Sequence, residues 1–175
     1  LSRQDDREAI KNLNPKFFGG LQNSIRYKGF TLDFLFQFVK QQNYSGTYLK
    51  GMPGRMENQP TVVEDRWQQP GDITTYQPYS TGANSELRSR YNNYGQSDAV
   101  IQDASFIRLK NLSIAYKLSD KIFKVAELTF LLRGQNLFTI TDFDGFDPES
   151  KYSNSLPPLQ VLTTGVQLNL SLIHI

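Results

Sequence analysis

The chain has 175 residues, 38% of them hydrophobic, with no cysteine and a formal net charge of +2. Lysine and arginine are scattered rather than gathered on one element, which excludes a nucleic-acid partner, and the lack of cysteine excludes a disulfide framework. No apolar run reaches the length of a transmembrane helix, whereas a membrane-spanning strand, which spends only every second residue on lipid, remains compatible with a negative mean hydropathy.

Leu1 is not an initiator methionine and no signal peptide follows it, so the sequence reads as a fragment. Residues 1–14 are charged and polar and read as a loop. After Asn14-Pro15 a strand is expected over Phe17–Tyr27, with Phe17, Leu21, Ile25 and Tyr27 on one face and Gln22, Ser24 and Arg26 on the other. Tyr27-Lys28-Gly29-Phe30 reads as a tight hairpin with glycine where a primed turn needs positive φ. The next strand, 30–40, sets Phe30, Leu32, Phe34, Phe36 and Phe38 on one face and Thr31, Asp33 and Gln37 on the other. A phenylalanine row of this kind suits a dry sandwich core as well as a lipid-facing wall.

From Gln41 to Ser97 there is no long periodic segment, and the stretch holds four of the eight prolines and six of the twelve glycines. One short helix is expected there, because Thr61 and Glu64 have capping-box spacing ahead of Trp67. From Asp103 to Thr141 the alternation returns as two long strands joined by a short turn over 119–126. Ile107 and Leu109 hold one phase and Leu112, Ile114, Tyr116 and Leu118 the other, which calls for a β-bulge near Lys110 and Asn111. In the second strand Leu128, Phe130 and Leu132 oppose Thr129, Arg133 and Gln135, with Leu131 as the exception. A long loop, 142–160, precedes a final strand over 161–169. The last six residues, Leu170 to Ile175, match the translation of a sequencing-library adaptor and are expected to be read-through, which leaves His174 without a role.

Short and long connections alternate along the chain, and the strands exceed the usual globular length of about 5–6 residues. Both features suit an antiparallel transmembrane β-barrel segment with long extracellular loops and short periplasmic turns. Five strands cannot close such a wall alone, since bacterial barrels begin at about eight.

Four stretches carry a family resemblance: NPKFFGGLQNSIRYKGFTLDFLFQF, DASFIRLKNLSIAYKL, GQNLFTIT followed by GFDPE, and LPPL ahead of TTGVQLN. Together they resemble the C-terminal barrel segment of SusC/RagA-type TonB-dependent outer-membrane transporters. The resemblance implies that residues 1–169 supply the last strands of a barrel of about 22, in the cell outer membrane, with the C-terminus in the periplasm and 170–175 outside the gene. It implies import of large nutrients, glycans or oligosaccharides first and peptides second. The implied partners are a SusD-like surface lipoprotein, outer-membrane lipid, and the TonB complex acting through an N-terminal part that this sequence lacks. The departures are the missing plug and TonB box, and Leu170 where the family ends on an aromatic residue.

No nucleophile, base or metal constellation survives inspection, so neither an enzyme nor a cofactor is expected. Tyr44, Tyr48, Trp67, Tyr76 and Tyr79 give the large loop aromatic faces suited to stacking on sugar rings; Tyr48, Trp67, Tyr76 and Tyr79 are the substrate-contact candidates. Loop self-packing or contact with a partner lipoprotein is the competing role for each. Asp33, Gln37, Arg133 and Gln135 would face the lumen. No metal site is expected; Asp142, Asp144 and Asp147, with Glu149, are the nearest approach to one, around Gly145, without an EF-hand pattern. The alternative to a transporter segment is a soluble carbohydrate-binding or adhesive β-sandwich domain.

Overall fold

The computed structural model describes residues 11–46, 51–118, 126–150 and 155–170. The chain divides into two compact units: Leu1–Pro15, Gln41–Ser105 and Asp142–Pro157 in the first, and Lys16–Lys40, Phe106–Thr141 and Pro158–Ile175 in the second.

The long strands belong to the second unit. In chain order the strands are β1 (Phe17–Tyr27), β2 (Phe30–Lys40), β3 (Gln42–Tyr44), β4 (Ile101–Asp103), β5 (Phe106–Lys117), β6 (Ala126–Gln135), β7 (Thr139–Thr141) and β8 (Val161–Leu170). Five of them form an antiparallel sheet in the order β1-β2-β5-β6-β8, with β7 continuing the β6 path against β5. Residues that share a register share a face. Leu21 lies opposite Phe36 and Ile25 opposite Leu32, while Phe34 meets Leu112, and Ile114 lies between Leu32 and Leu132. The other face carries Asp33, Ser113 and Arg133 in one row.

Two local devices keep those faces consistent. Leu35 pairs with Asn111 but Phe36 pairs with Leu109, so Lys110 is the extra residue of a bulge, where the change of phase calls for one. On the neighbouring path Asn136 takes φ 51°, a left-handed conformation that asparagine adopts more readily than most residues. Leu137 then folds over Gly134, where an added Cβ would lie 2.6 Å from the leucine side chain. Asn136 Nδ2 donates to the Leu159 carbonyl at 3.1 Å and Gln160 Nε2 to the Leu137 carbonyl at 3.1 Å, tying this irregular corner to the entry of β8. The β1–β2 hairpin turns on Lys28 (φ 43°) and Gly29 (φ 86°), both left-handed as a two-residue type I′ turn requires.

The expected antiparallel transmembrane β-barrel segment is corrected by this topology. The sheet is open: β1 and β8 stand at opposite ends of the strand order and do not pair. A strand spans hydrocarbon only where its backbone groups are all paired, and an unpaired edge leaves a row of N–H and C=O groups without partners. The multi-pass outer-membrane location and the periplasmic C-terminus implied by the resemblance are withdrawn with it. Reading the chain as a C-terminal barrel fragment of a SusC/RagA-type transporter is corrected on the same ground. Among the described residues no helix is long and apolar enough to cross a membrane. Nor does a second sheet of the same unit cover the phenylalanine row, since Phe30 is 52% and Phe38 36% exposed. The row is flanked by rings of the same unit, Phe30 on Tyr116 of β5 at 4.3 Å and Phe36 against Phe138 of the β6–β7 link at 6.1 Å between centroids.

The first unit is built differently. β3 pairs with β4, and between them run a 3₁₀ turn (Thr61–Asp65), the helix α1 (Ser85–Gly95) and a second 3₁₀ turn (Asp98–Val100). Met52, Val63, Val100 and Ala104 are buried. The 142–157 segment is fastened by side chains: Gln41 Nε2 donates to the Pro148 carbonyl at 2.6 Å and Asn43 Nδ2 to the Ser150 carbonyl at 2.7 Å.

The capping box expected at Thr61 and Glu64 does not form. Pro60 occupies the cap position with no side-chain hydrogen bond, and the turn stays 3₁₀. The helix lies further on, where Asn84 Oδ1 accepts from the backbone N–H groups of Glu86 (3.0 Å) and Leu87 (3.1 Å). No residue of α1 is buried, and its few apolar positions are interleaved with polar and charged ones, so the helix carries only a weak periodic signal. Asn84→Ala is expected to destabilise α1 by about 1 kcal/mol, read as faster amide exchange over 86–94; unchanged exchange would show that the cap is dispensable.

Candidate functional site

Within the first unit, residues 65–78 and α1 enclose a cavity of about 480 Å³. The 65–76 loop is closed by backbone and short side chains. Trp67 N donates to the Tyr76 carbonyl at 2.9 Å, and Thr74 Oγ1 donates to the Asp65 carbonyl. Asp72 accepts from the Gln68 and Gln69 N–H groups at 2.8 and 2.9 Å. These backbone donors favour the ionised carboxylate and hold its pKa below the usual aspartate value. The loop thereby presents Trp67, Tyr76, Gln77 and Pro78 to the cavity.

The opposite wall is one stripe of α1: Leu87, Arg90, Tyr91 and Tyr94. Their spacing of three, four and seven residues from Leu87 places them on a single helical face. Arg90 is ion-paired along the helix with Glu86 at 2.6 Å. The cavity is therefore walled by three tyrosines and a tryptophan, with Val63, Pro53 and Pro78 adding apolar surface. Side-chain polarity comes from Ser45, Thr74, Thr75 and Gln77, besides the phenols and Arg90. Such a lining can stack on flat apolar faces and bond hydroxyl or carbonyl groups.

Of the aromatic candidates, Trp67 and Tyr76 line this cavity. Tyr79 does not; its ring is covered by the Arg66 guanidinium at 3.7 Å. Tyr44 lies in β3, and Tyr48 falls outside the described residues, as do the 119–125 turn, His174 and all of the suspected read-through except Leu170. Tyr91 and Tyr94 were missed, because they belong to the helix that hydrophobic periodicity did not reveal. Asn84 followed by Glu86 was the available signal.

Asp33, Gln37, Arg133 and Gln135 share the polar face of the large sheet. Asp33 and Arg133 lie on either side of Ser113 in one row, and Gln37 pairs in register with Arg108. Gln37 and Gln135 border a shallow depression with Gly20 and Lys110. Among the acidic candidates, Asp144 accepts from Ser45 Oγ (3.1 Å), Gly46 N (2.7 Å) and Gln102 Nε2, so its oxygens anchor the β3–β4 pair. Asp147 caps its own turn through Glu149 N at 2.9 Å. Among the described residues no three metal-ligating side chains come together.

No family model matches the chain. Two curated relatives do, both from Formosa agariphila: TonB-dependent receptor P3 is 30% identical over 152 residues, covering 85% of this chain and 14% of the receptor. TonB-dependent receptor P39 is 27% identical over 167 residues, covering 90% and 16%. The chain thus spans only a small part of either relative. Among solved structures, the RagAB peptide importer in its open-open state superposes with a TM-score of 0.68 at 25% identity, over 90% of this chain and 17% of that one. The closed-closed state gives 0.73 at 23% identity, over 96% and 19%, a likeness of fold.

The chain resembles part of a transport receptor. The solved structures it resembles are those of a peptide importer. The expectation that it works as outer-membrane barrel wall in glycan import is overturned by the open sheet.

Proposed function

We propose that this chain is a non-catalytic carbohydrate-binding module associated with a transporter-type protein, and that its binding element is the cavity between the 65–78 loop and α1. The observation that carries the reading is the convergence of Trp67, Tyr76, Tyr91 and Tyr94 on one cavity of about 480 Å³, a size suited to a few sugar rings rather than a whole polymer. The ring of Tyr or Trp offers an apolar face to the C–H side of a pyranose, and the phenol or indole edge meets its hydroxyls. The partner we propose is a SusD-like protein, on the strength of the RagAB likeness.

Calorimetric titration of the purified chain with oligosaccharides tests this. Tyr76→Ala is expected to weaken binding about tenfold, equivalent to about 1.4 kcal/mol, while Tyr79→Ala, whose ring lies outside the cavity, should change it less than twofold. Equal affinities for the parent and Tyr76→Ala would remove the cavity from the binding site. Peptides that bind in place of sugars would move the reading toward the cargo named for RagAB.

A further inference from the structure

We propose that α1 is a strap, loosely held in the free chain and fixed in place by the ligand, so that binding and closure of the cavity are one event. This rests on the binding role given above and adds a conformational step to it. The two walls of the cavity are built unequally. Beyond the Trp67–Tyr76 closure, the 65–78 wall is braced by Asp72 N donating to the Gln69 carbonyl at 3.1 Å and by the Asp72 carboxylate, which accepts from two further backbone N–H groups. It leads into Ser80, which is buried and whose N–H donates to the Pro53 carbonyl at 3.0 Å.

The wall made by α1 is tethered at its ends instead. Ser80 before it and Val100 after it are buried, and the Val100 carbonyl accepts from Ser45 N at 2.7 Å. No residue between those two posts is buried. The segment leaves the first post through Gly82, whose φ of 90° only glycine adopts freely. A helix of 11 residues is marginal in water unless an apolar face is packed. The Asn84 cap and the Glu86–Arg90 pair support α1 without burying apolar surface. Its half-buried side chains, Leu87, Tyr91 and Tyr94, line the cavity, so the space open to a ligand is also where the helix would gain its packing. A sugar ring held between these tyrosines and the Trp67–Tyr76 wall supplies that contact. The segment that binding orders is then the one with the least buried surface to hold it.

Hydrogen exchange of the full chain, free and saturated with cellohexaose or laminarihexaose, is the test. In the free chain the amides of residues 88–94 are expected to exchange about tenfold faster than those of Trp67 and Ser80. At a sugar concentration about a hundred times the dissociation constant they should slow by about tenfold or more, toward the limit of roughly a hundredfold set by mass action, with a smaller change at Trp67 and Ser80. Ser89 is exposed on α1 and does not line the cavity. Ser89→Pro should break the helix and weaken the sugar about tenfold or more, while exchange across β2 and β5 stays as in the parent. A hexaose that binds by calorimetry with exchange over 88–94 unchanged would overturn closure and leave the cavity a rigid binding site. Equal slowing at Trp67 and Ser80 would overturn the assignment of movement to α1. Undiminished affinity in folded Ser89→Pro would remove α1 from the site. Failure of both hexaoses to bind would overturn the carbohydrate-binding role itself, and closure with it.

Discussion

Phe106→Ala is expected to destabilise the chain by about 3–5 kcal/mol, the range for removing a fully buried aromatic ring. Phe106 is 2% exposed, at the start of β5, opposite Val39 on β2 and Thr141 on β7. Its ring also lies 5.1 Å from the guanidinium of Arg108. Arg108 is 1% exposed, and its Nε donates to Thr139 Oγ1 at 2.8 Å. Truncation would therefore open a void and strip one apolar wall from a buried cation, two costs that add. The measurement is the urea midpoint at constant slope, with Phe18→Ala as the control. Phe18 also pairs in register with Val39 but is 75% exposed, so the same truncation should cost less than about 0.5 kcal/mol. Similar losses for the two variants would contradict the packing described for this corner.

Gly29→Val should cost roughly 2–3 kcal/mol, for two separable reasons. Gly29 sits at φ 86°, where a β-branched residue is strained, and an added Cβ would lie 2.7 Å from the backbone carbonyl oxygen of Lys117. That neighbour is main chain, held against the turn by the Lys117 N–H donating to the Gly29 carbonyl at 2.8 Å, so it cannot swing aside. Lys28→Gly is the matched opposite: Lys28 takes φ 43°, and glycine there would relieve left-handed strain, giving a change between zero and about 1 kcal/mol in favour of folding. Hydrogen exchange across β1 and β2 reports both. A Gly29→Val chain as protected as the parent would mean that the turn is not the tight left-handed pair described.

Much of the sheet was legible in the residues. The limits of β1, β2 and β8 agree with the alternation to within a residue, and the left-handed pair follows from Lys28-Gly29. The bulge at Lys110 was visible as a change of phase between Leu109 and Leu112. The unit inserted between β2 and β5 was opaque for an equally physical cause. Its turns rest on Asp72, Asn84 and similar groups bonding nearby backbone, and such bonds leave no periodic trace. The Thr61 and Glu64 pair misled because Pro60 took the cap position, and α1 escaped because none of its residues is buried.

The sequence by itself determined where the long strands run, which side chains share a face and where the hairpin turns, because alternation and positive φ are properties of neighbouring residues. Only the tertiary structure decided which strands are neighbours, with β1 and β8 unpaired with each other, and that Trp67 and Tyr76 meet Tyr91 and Tyr94 across a cavity. Closure of a sheet and convergence of aromatic rings depend on contacts between residues distant along the chain, and a pattern of period two carries no information about which distant segment completes the pair.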